Sequence, residues 1–188
     1  MERTARKRRE ITTETYQLMI KEGILTKADK VELIHGEILE MSPIRSKHAG
    51  IVKKINKLFQ KLLGESMIVG VQNPLNLSGN SQPEPDISLL KFREDFYTAS
   101  HPKPADVLLL IEVADSSVAF DREVKMPLYA EANIPEFWLI DLEKEVVEVY
   151  KQPQGGKYHY REVFNQANTI KLDIVDISFE VNSIFPSK

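Results

Sequence analysis

The feature that most constrains the fold is a nearly continuous apolar run at residues 107–113, with the sequence Val-Leu-Leu-Leu-Ile-Glu-Val. Such a run is typical of a β-strand that is covered on both faces, as in the centre of an α/β sheet. Glu112 is its only charged residue. A buried charge is costly unless it is paired, neutralised or bound to a cation. The run therefore predicts a central strand and a special role for Glu112.

A second carboxylate, Asp86, precedes another apolar segment at residues 87–90. Pro83 and Pro85 restrict the backbone just before it, so we expect Asp86 to be held stiffly at the start of a strand. If the two strands pair, both carboxylates can face one point, as a hard divalent cation bound through oxygen requires. The pattern predicts a metal site at Asp86 and Glu112, with Lys125 in the segment that follows.

These residues also have ordinary structural explanations. Asp86 is typical of a turn before a strand, Glu112 can be held in a buried salt bridge, and most lysines such as Lys125 are solvated. Exposed positions in a hairpin explain three further acids, Glu32, Glu37 and Glu40. The sequence alone leaves both explanations open.

The composition is that of an ordinary soluble globular protein. The chain has 188 residues, of which 42% are hydrophobic and 28% charged, so we expect residues 1–188 to form one domain with residues 1–10 flexible. It contains no cysteine, which excludes disulfides, thiolate zinc sites and thiol nucleophiles. No secretory signal or membrane-spanning run is evident, and we expect a cytoplasmic protein.

Hydrophobic periodicity predicts the elements before Asp86. Thr12 or Thr13 is a typical N-cap for a short helix that ends near Gly23. Residues 31–34 and 38–41 predict two short strands joined by a tight turn.

A longer amphipathic helix is predicted from Ser46 to about Gly64. His48, near its start, can hydrogen-bond a catalytic acid or cap the local backbone. Its polar side carries five lysines, Lys47, Lys53, Lys54, Lys57 and Lys61. The net charge of -3 gives no general reason to expect nucleic-acid binding. The lysine face is therefore either solvated or a contact for phosphates or an acidic partner. Lys47, Lys54 and Lys61 are weak candidates for contact with a nucleic acid.

Several other chemistries lack their motifs. The sequence contains no phosphate-binding loop, no glycine-rich dinucleotide turn and no nucleophile elbow. Its four histidines show no ligand spacing for zinc. A basic N-terminal cluster, Arg3, Arg6, Lys7, Arg8 and Arg9, is either a mobile terminus or a phosphate contact. Carboxylate-bound metal remains the best enzymatic hypothesis.

The order of Asp86, Glu112 and a following lysine resembles the PD-(D/E)XK nuclease superfamily, and more closely its restriction-endonuclease-like family called Uma-two. The matching stretches are residues 31–38, 41–43 with His48, 85–87, 111–113 with 116–117, 121–125, 128–130 and 134–141. The resemblance extends from the first helix to about Tyr150. It implies an α/β fold in which a central mixed β-sheet is flanked by α-helices, here with an N-terminal helix and a C-terminal β-hairpin added.

The resemblance also implies a magnesium-dependent (or manganese-dependent) endonuclease that hydrolyses phosphodiester bonds in DNA as a homodimer. Asp86, Glu112 and the carbonyl of Val113 would hold the metal, and Lys125 would orient water or offset charge on the phosphoryl group. Glu37 corresponds to an additional acid of the family. His48 is a supporting residue.

One departure from the superfamily pattern concerns the lysine. The pattern places it two residues after the glutamate, where this chain has Ala114. Lys125 resembles the migrated lysine of the family, which would return the charge to the site from another backbone position. The alternatives are an inactive nucleic-acid-binding or interaction module with the same fold, and a structural protein in which Glu112 pairs with Lys125.

Overall fold

The computed structural model describes residues 9–26 and 28–185. The expected flexible segment 1–10 and its cluster of basic residues lie outside this part of the chain, except for Arg9 and Glu10.

The N-terminal elements follow the predicted order. Helix α1 (Thr13–Lys21) is capped by the Thr12 hydroxyl, which accepts a 3.2 Å hydrogen bond from the Thr15 amide. Strands β1 (Val31–Ile34) and β2 (Glu37–Glu40) then form an antiparallel hairpin. Helix α2 (Ser46–Leu63) ends at Gly64, whose φ of 55° is unfavourable for most other residues.

Six further strands form the central sheet. They are β3 (Met67–Val71), β4 (Ile87–Lys91), β5 (Val107–Ala114), β6 (Glu136–Asp141), β7 (Val146–Gln154) and β8 (Lys157–Phe164). The strand order is β3-β4-β5-β6-β7-β8, and only the β5–β6 pair is parallel. The apolar run at 107–113 is thus a central strand, and the expectation of a mixed sheet flanked by helices is confirmed.

Both faces of the sheet are covered. On one face, Phe59 of α2 packs edge-to-face on Trp138 of β6, with ring centroids 6.1 Å apart. The C-terminal hairpin β9 (Thr169–Leu172) and β10 (Ile177–Glu180) covers the same face through Ile170 and Phe179. A 3₁₀ turn, Val181–Ser183, follows β10. Burial on two faces explains why β5 is apolar at nearly every position.

The connection from β5 to β6 covers the other face. It consists of the short helix α3 (Val118–Phe120), a π-helical turn (Asp121–Lys125) and helix α4 (Met126–Glu131). Pro127 lacks an amide hydrogen and its ring crowds the carbonyl four residues earlier, which explains why regular α-helical bonding is interrupted just before it. π-Helical turns are rare and occur frequently at functional sites.

Within residues 9–26 and 28–185, no helix combines the length and apolar composition needed to cross a bilayer.

Candidate active site

A pocket of about 330 Å³ lies where β4 begins and β5 ends. Its walls come from the N-terminal hairpin, the start of α2, the segment before β4, and the connection that follows β5. All the sequence-predicted metal ligands, together with Lys125 and His48, line this pocket, whereas Glu37 does not.

Asp86 is fixed by three hydrogen-bond partners. Its Oδ2 accepts a 2.9 Å bond from the Val113 amide and lies 2.9 Å from His48 Nε2. Its Oδ1 accepts a 3.0 Å bond from Gln72 Nε2. Asp86 is only 8% exposed. The hydrogen bond from the Val113 amide holds this carboxylate beside the residue that follows Glu112. Asp86 and Glu112 therefore line the same pocket, where β4 begins and β5 ends.

Glu112 lies on the face of β5 that α4 covers. Its Oε1 accepts hydrogen bonds from the Tyr129 hydroxyl at 2.5 Å and from Lys125 Nζ at 3.2 Å. Burial raises the pKa of Glu112 to about 8, against the attraction of Lys125, and the negative charges of Asp121, Asp86 and Glu32 add to this rise. Without a metal, the Glu112 carboxyl is therefore largely protonated at neutral pH. A bound metal cation would favour its ionised form.

Lys125 projects from the π-helical turn between two acids. Its Nζ lies 3.2 Å from Glu112 Oε1 and 3.2 Å from Glu32 Oε2, and the residue is 5% exposed. Burial would lower the pKa of Lys125, but the charges of Glu112, Glu32 and Asp121 outweigh it and raise the pKa. The ammonium is therefore the stable form, and it lies beside Glu112 although Ala114 occupies the usual lysine position.

Glu32 is the acid that sequence reasoning missed. It is 3% exposed, and its Oε2 accepts a 3.2 Å bond from the Glu84 amide, two residues before Asp86. Glu37, the predicted additional acid, instead lies exposed at the turn end of the hairpin and outside the pocket. The apolar neighbours Val31 and Leu33 were the signal for a buried Glu32, whereas Glu37 follows the turn glycine.

His48 lies in the first turn of α2, against Asp86. Burial lowers the pKa of His48, but its hydrogen bond to Asp86 and the charge of that carboxylate outweigh burial and raise the pKa. Its Nδ1 is buried and has no hydrogen-bond partner among the described residues. Asp86 is thus the group that orients this ring.

Two of the three candidate phosphate contacts on α2 also bond backbone carbonyls of neighbouring segments. Lys47 Nζ donates a 2.7 Å hydrogen bond to the Leu142 carbonyl, and Lys54 Nζ donates one of 2.5 Å to the Phe185 carbonyl. Lys61 is exposed. Of the three candidate phosphate contacts, Lys47 and Lys54 therefore also tie α2 to neighbouring segments.

The lining of the pocket is strongly acidic. Seven carboxyl residues, Glu32, Glu40, Glu84, Asp86, Glu112, Asp115 and Asp121, accompany two permanent cations, Arg45 and Lys125. Burial raises the pKa of both Asp121 and Glu84, as it does for Glu112. The negative charge is therefore under-compensated in this pocket.

The donor set fits a hard divalent cation. Among the described residues, no group of three or more His, Asp or Glu side chains is arranged to hold a metal. Mg²⁺, however, is usually bound by one or two carboxylates and keeps several waters. Asp86 and Glu112, joined through Val113, provide two carboxylates beside a backbone carbonyl, and all of these donors are oxygen atoms.

Comparisons with known proteins identify the fold and the family of the chain. Five chains of solved structures match this one. Among them is a "putative nuclease belonging to DUF820" from Anabaena variabilis ATCC 29413, which is 17% identical, has a TM-score of 0.71, and is matched over 93% of this chain and 97% of its own. At this identity the likeness shows the fold. No curated protein matches. The model of the Uma2 family, described as "Putative restriction endonuclease", matches residues 13–182. The chain therefore belongs to the Uma2 family of restriction-endonuclease-like nucleases.

Proposed function

We propose that this protein is a Mg²⁺- or Mn²⁺-dependent endonuclease that hydrolyses phosphodiester bonds in DNA. One observation carries the proposal: Asp86 accepts a hydrogen bond from the amide of Val113, the residue after Glu112, and the Lys125 ammonium lies 3.2 Å from Glu112. Two carboxylates and a lysine at one point are the parts that metal-assisted phosphodiester hydrolysis needs.

Asp86, Glu112 and the Val113 carbonyl would hold the cation. The amide and carbonyl of a strand residue point to the same neighbouring strand. The Val113 amide bonds Asp86, so we expect the Val113 carbonyl on the same side. A bound Mg²⁺ would polarise the scissile phosphate and lower the pKa of a bound water. Its charge would also offset the acidic lining, which would otherwise repel a polyanion.

The protein side chains then divide the remaining tasks. The Lys125 ammonium has three donors; two of its neighbours, Glu112 and Glu32, hold it in place. It would orient the attacking water or offset charge that develops on phosphoryl oxygens. His48 and Gln72 hold the orientation of Asp86. We assign to Glu32, rather than to Glu37, the part of the additional acid.

The motive for the rival hypothesis, an inactive module, is the displaced lysine together with the modest net charge. The position of Lys125 weakens that motive, because the lysine charge reaches Glu112 from the π-helical turn. A homodimer with two such sites would cut both strands of a duplex. We include this assembly in the proposal and expect it in light scattering of the purified protein.

Cleavage assays with purified protein test the proposal. Duplex DNA, single-stranded DNA and RNA are each incubated with Mg²⁺ or Mn²⁺, for wild type, Asp86→Ala and Glu112→Ala. We expect metal-dependent cutting of DNA by the wild type, and loss of cutting in both variants. Glu162→Ala, which changes an exposed acid on β8, is the matched control and should cut normally.

The outcomes separate the alternatives. Undiminished cutting by both active-site variants would remove the proposed site, and cutting of RNA alone would overturn DNA as the substrate. DNA binding without any turnover would favour the inactive module. If Glu112 only pairs with Lys125 as a structural ion pair, calorimetry should detect no Mg²⁺ or Mn²⁺ binding.

A further inference from the structure

A second buried glutamate lies on the same face of the sheet as Glu112. Glu148 of β7 pairs with Leu139 of β6, which in turn pairs with Glu112 of β5. Directly paired residues point to the same face, so the two glutamates stand in one row, two strands apart. Both are 3% exposed.

The π-helical turn reaches both glutamates. Arg122 donates a 2.7 Å hydrogen bond from Nη2 to Glu148 Oε1, while Lys125, three residues later, bonds Glu112 at 3.2 Å. The turn is thus attached to the sheet at two points in the same row. The Tyr150 hydroxyl and Arg161 bind the other oxygen of Glu148, Oε2.

Glu148 is an ionised attachment point for the π-helical turn. Burial alone would raise the pKa of Glu148, but hydrogen bonds from Tyr150 and Arg122 and the positive charges of Arg122 and Arg161 outweigh it and lower the pKa. The carboxylate is therefore ionised at neutral pH. Charge-assisted hydrogen bonds of this kind are about twice as strong as neutral ones.

The position of the Lys125 ammonium depends on the position of the backbone in the π-helical turn. The lysine side chain has a flexible four-carbon stem, and the turn that carries it is irregular because Pro127 follows. Within the turn, Arg122 is the side chain that bonds a strand beyond the pocket, since Asp121 bonds Ser117 and Lys125 bonds the pocket acids.

We propose that the Arg122–Glu148 ion pair is a positioning device that fixes the π-helical turn, so that the Lys125 ammonium lies between Glu112 and Glu32. Arg122 and Glu148 are positioning residues, because they act through Lys125 and do not line the pocket. The inference rests on the proposed nuclease function for its kinetic consequence. Its structural consequence, the burial of Lys125, can be measured without turnover.

Three variants test the pair. Arg122→Met keeps the apolar stem and removes the guanidinium, and Glu148→Gln keeps the shape and removes the charge. Arg122→Lys is the conservative variant, since a lysine can supply the single bond to Glu148 Oε1. Arg161→Met is the matched control: it also removes a cation from Glu148, but from the exposed strand β8 and not from the turn.

The first readout is chemical labelling. Intact protein without metal is treated with acetic anhydride, and acetylation of each lysine is followed by mass spectrometry, with exposed Lys61 as the internal reference. We expect Lys125 to be protected in the wild type, Arg122→Lys and Arg161→Met. In Arg122→Met and Glu148→Gln, its labelling should accelerate at least about fivefold, because the turn opens locally.

The second readout is steady-state cleavage. Arg122→Met and Glu148→Gln should lower kcat by roughly 10- to 100-fold, because a small displacement of a catalytic group is enough for such a loss. KM should stay within about twofold, since substrate binding is not removed. Arg122→Lys should recover most of the loss, and Arg161→Met should cleave normally.

The outcomes are distinguishable from those of the proposed function. If the wild type shows no turnover, the nuclease proposal fails while the labelling comparison still decides on positioning. Unchanged protection of Lys125 in Arg122→Met and Glu148→Gln overturns the inference. So does an equal loss of protection in Arg161→Met, because the effect would then come from Glu148 losing any cation rather than from the turn.

Discussion

Glu112 and Glu148 lie on the same sheet face, and each is deeply buried, accepts a hydrogen bond from a tyrosine hydroxyl and has a basic partner. Their pKa values are nevertheless shifted in opposite directions. Burial raises the pKa of Glu112 to about 8 despite Lys125. Burial also opposes ionisation of Glu148, but its hydrogen bonds and arginines prevail and lower the pKa. The difference lies in the surroundings: Glu148 has two arginines, whereas Glu112 shares one lysine with other acids.

The contrast separates a structural site from a functional one. A buried charge that is fully paired stabilises a particular arrangement, and removing one partner is costly. A buried acid with too little positive charge is costly as it stands, so strong perturbation of its pKa marks a functional candidate. Glu112 is also the one of the two that faces a pocket.

Among these substitutions, we expect Glu112→Gln to have the largest effect on DNA cleavage. We expect DNA cleavage to fall by roughly 100- to 1000-fold, because one oxygen ligand and its charge are lost. The stability of the metal-free protein should be retained, since a pKa of about 8 leaves the Glu112 carboxyl largely protonated at neutral pH and glutamine has nearly the same shape. Single-turnover cleavage and urea unfolding without metal measure both. A variant that cuts normally, or that unfolds much more easily, would erase the contrast with Glu148.

Lys125→Met should reduce cleavage by about 100-fold, because the charge beside the phosphoryl group is lost. Mn²⁺ affinity should be unchanged or higher, since removing a neighbouring cation favours a bound one. Calorimetric titration beside the cleavage assay tests the pair of effects. Weaker Mn²⁺ binding with normal cleavage would reverse the assigned roles.

Glu148→Gln should destabilise the fold by about 2–3 kcal/mol at neutral pH, as expected for lost charge-assisted bonds. The folded-state pKa of Glu148 is depressed below 4.5, the ordinary value for a glutamate. Its contribution is therefore present above about pH 4.5 and is lost as pH falls through the folded pKa. Urea unfolding at several pH values should show wild type and variant converging in acid. A constant difference across pH would show that charge is not the cause.

We expect the smallest effects on cleavage from substitutions of two acids in the N-terminal hairpin, Glu32 and Glu37. Glu32→Gln should lower cleavage by roughly tenfold, because Lys125 loses one of the groups that orient it. Glu37→Gln, on the same hairpin but outside the pocket, should cut within about twofold of wild type. The two initial rates measured side by side provide the test. A larger effect of Glu37→Gln would restore the assignment made from the sequence.

The sequence predicted much of the fold, because its strands are short apolar runs between turn residues and proline. The central position of β5 followed from such a local pattern, whereas the proximity of Asp86 to Glu112 was expected only on the condition that their strands pair. The burial of Glu32 could not be predicted in this way. It depends on the contact between the N-terminal hairpin and the turn that carries Lys125, some ninety residues later in the chain. Long-range pairing of this kind leaves little trace in local periodicity.

The π-helical turn was equally hidden. Pro127 indicated an irregular helix, but the direction of Lys125 depends on how that turn packs against β5 and β7. The tethering of Lys47 and Lys54 to backbone carbonyls also depends on tertiary contacts. Their part in binding phosphate stays a prediction.

Diffraction from crystals soaked in Mn²⁺, collected at a wavelength where manganese scatters anomalously, would reveal directly whether Asp86 and Glu112 bind a metal. The proposed metal site requires an anomalous peak between Asp86 and Glu112, within ligand distance of both carboxylates and the Val113 carbonyl, and none at Glu148. A pocket without a peak in a well-soaked crystal, or a peak at Glu148 instead, would contradict it.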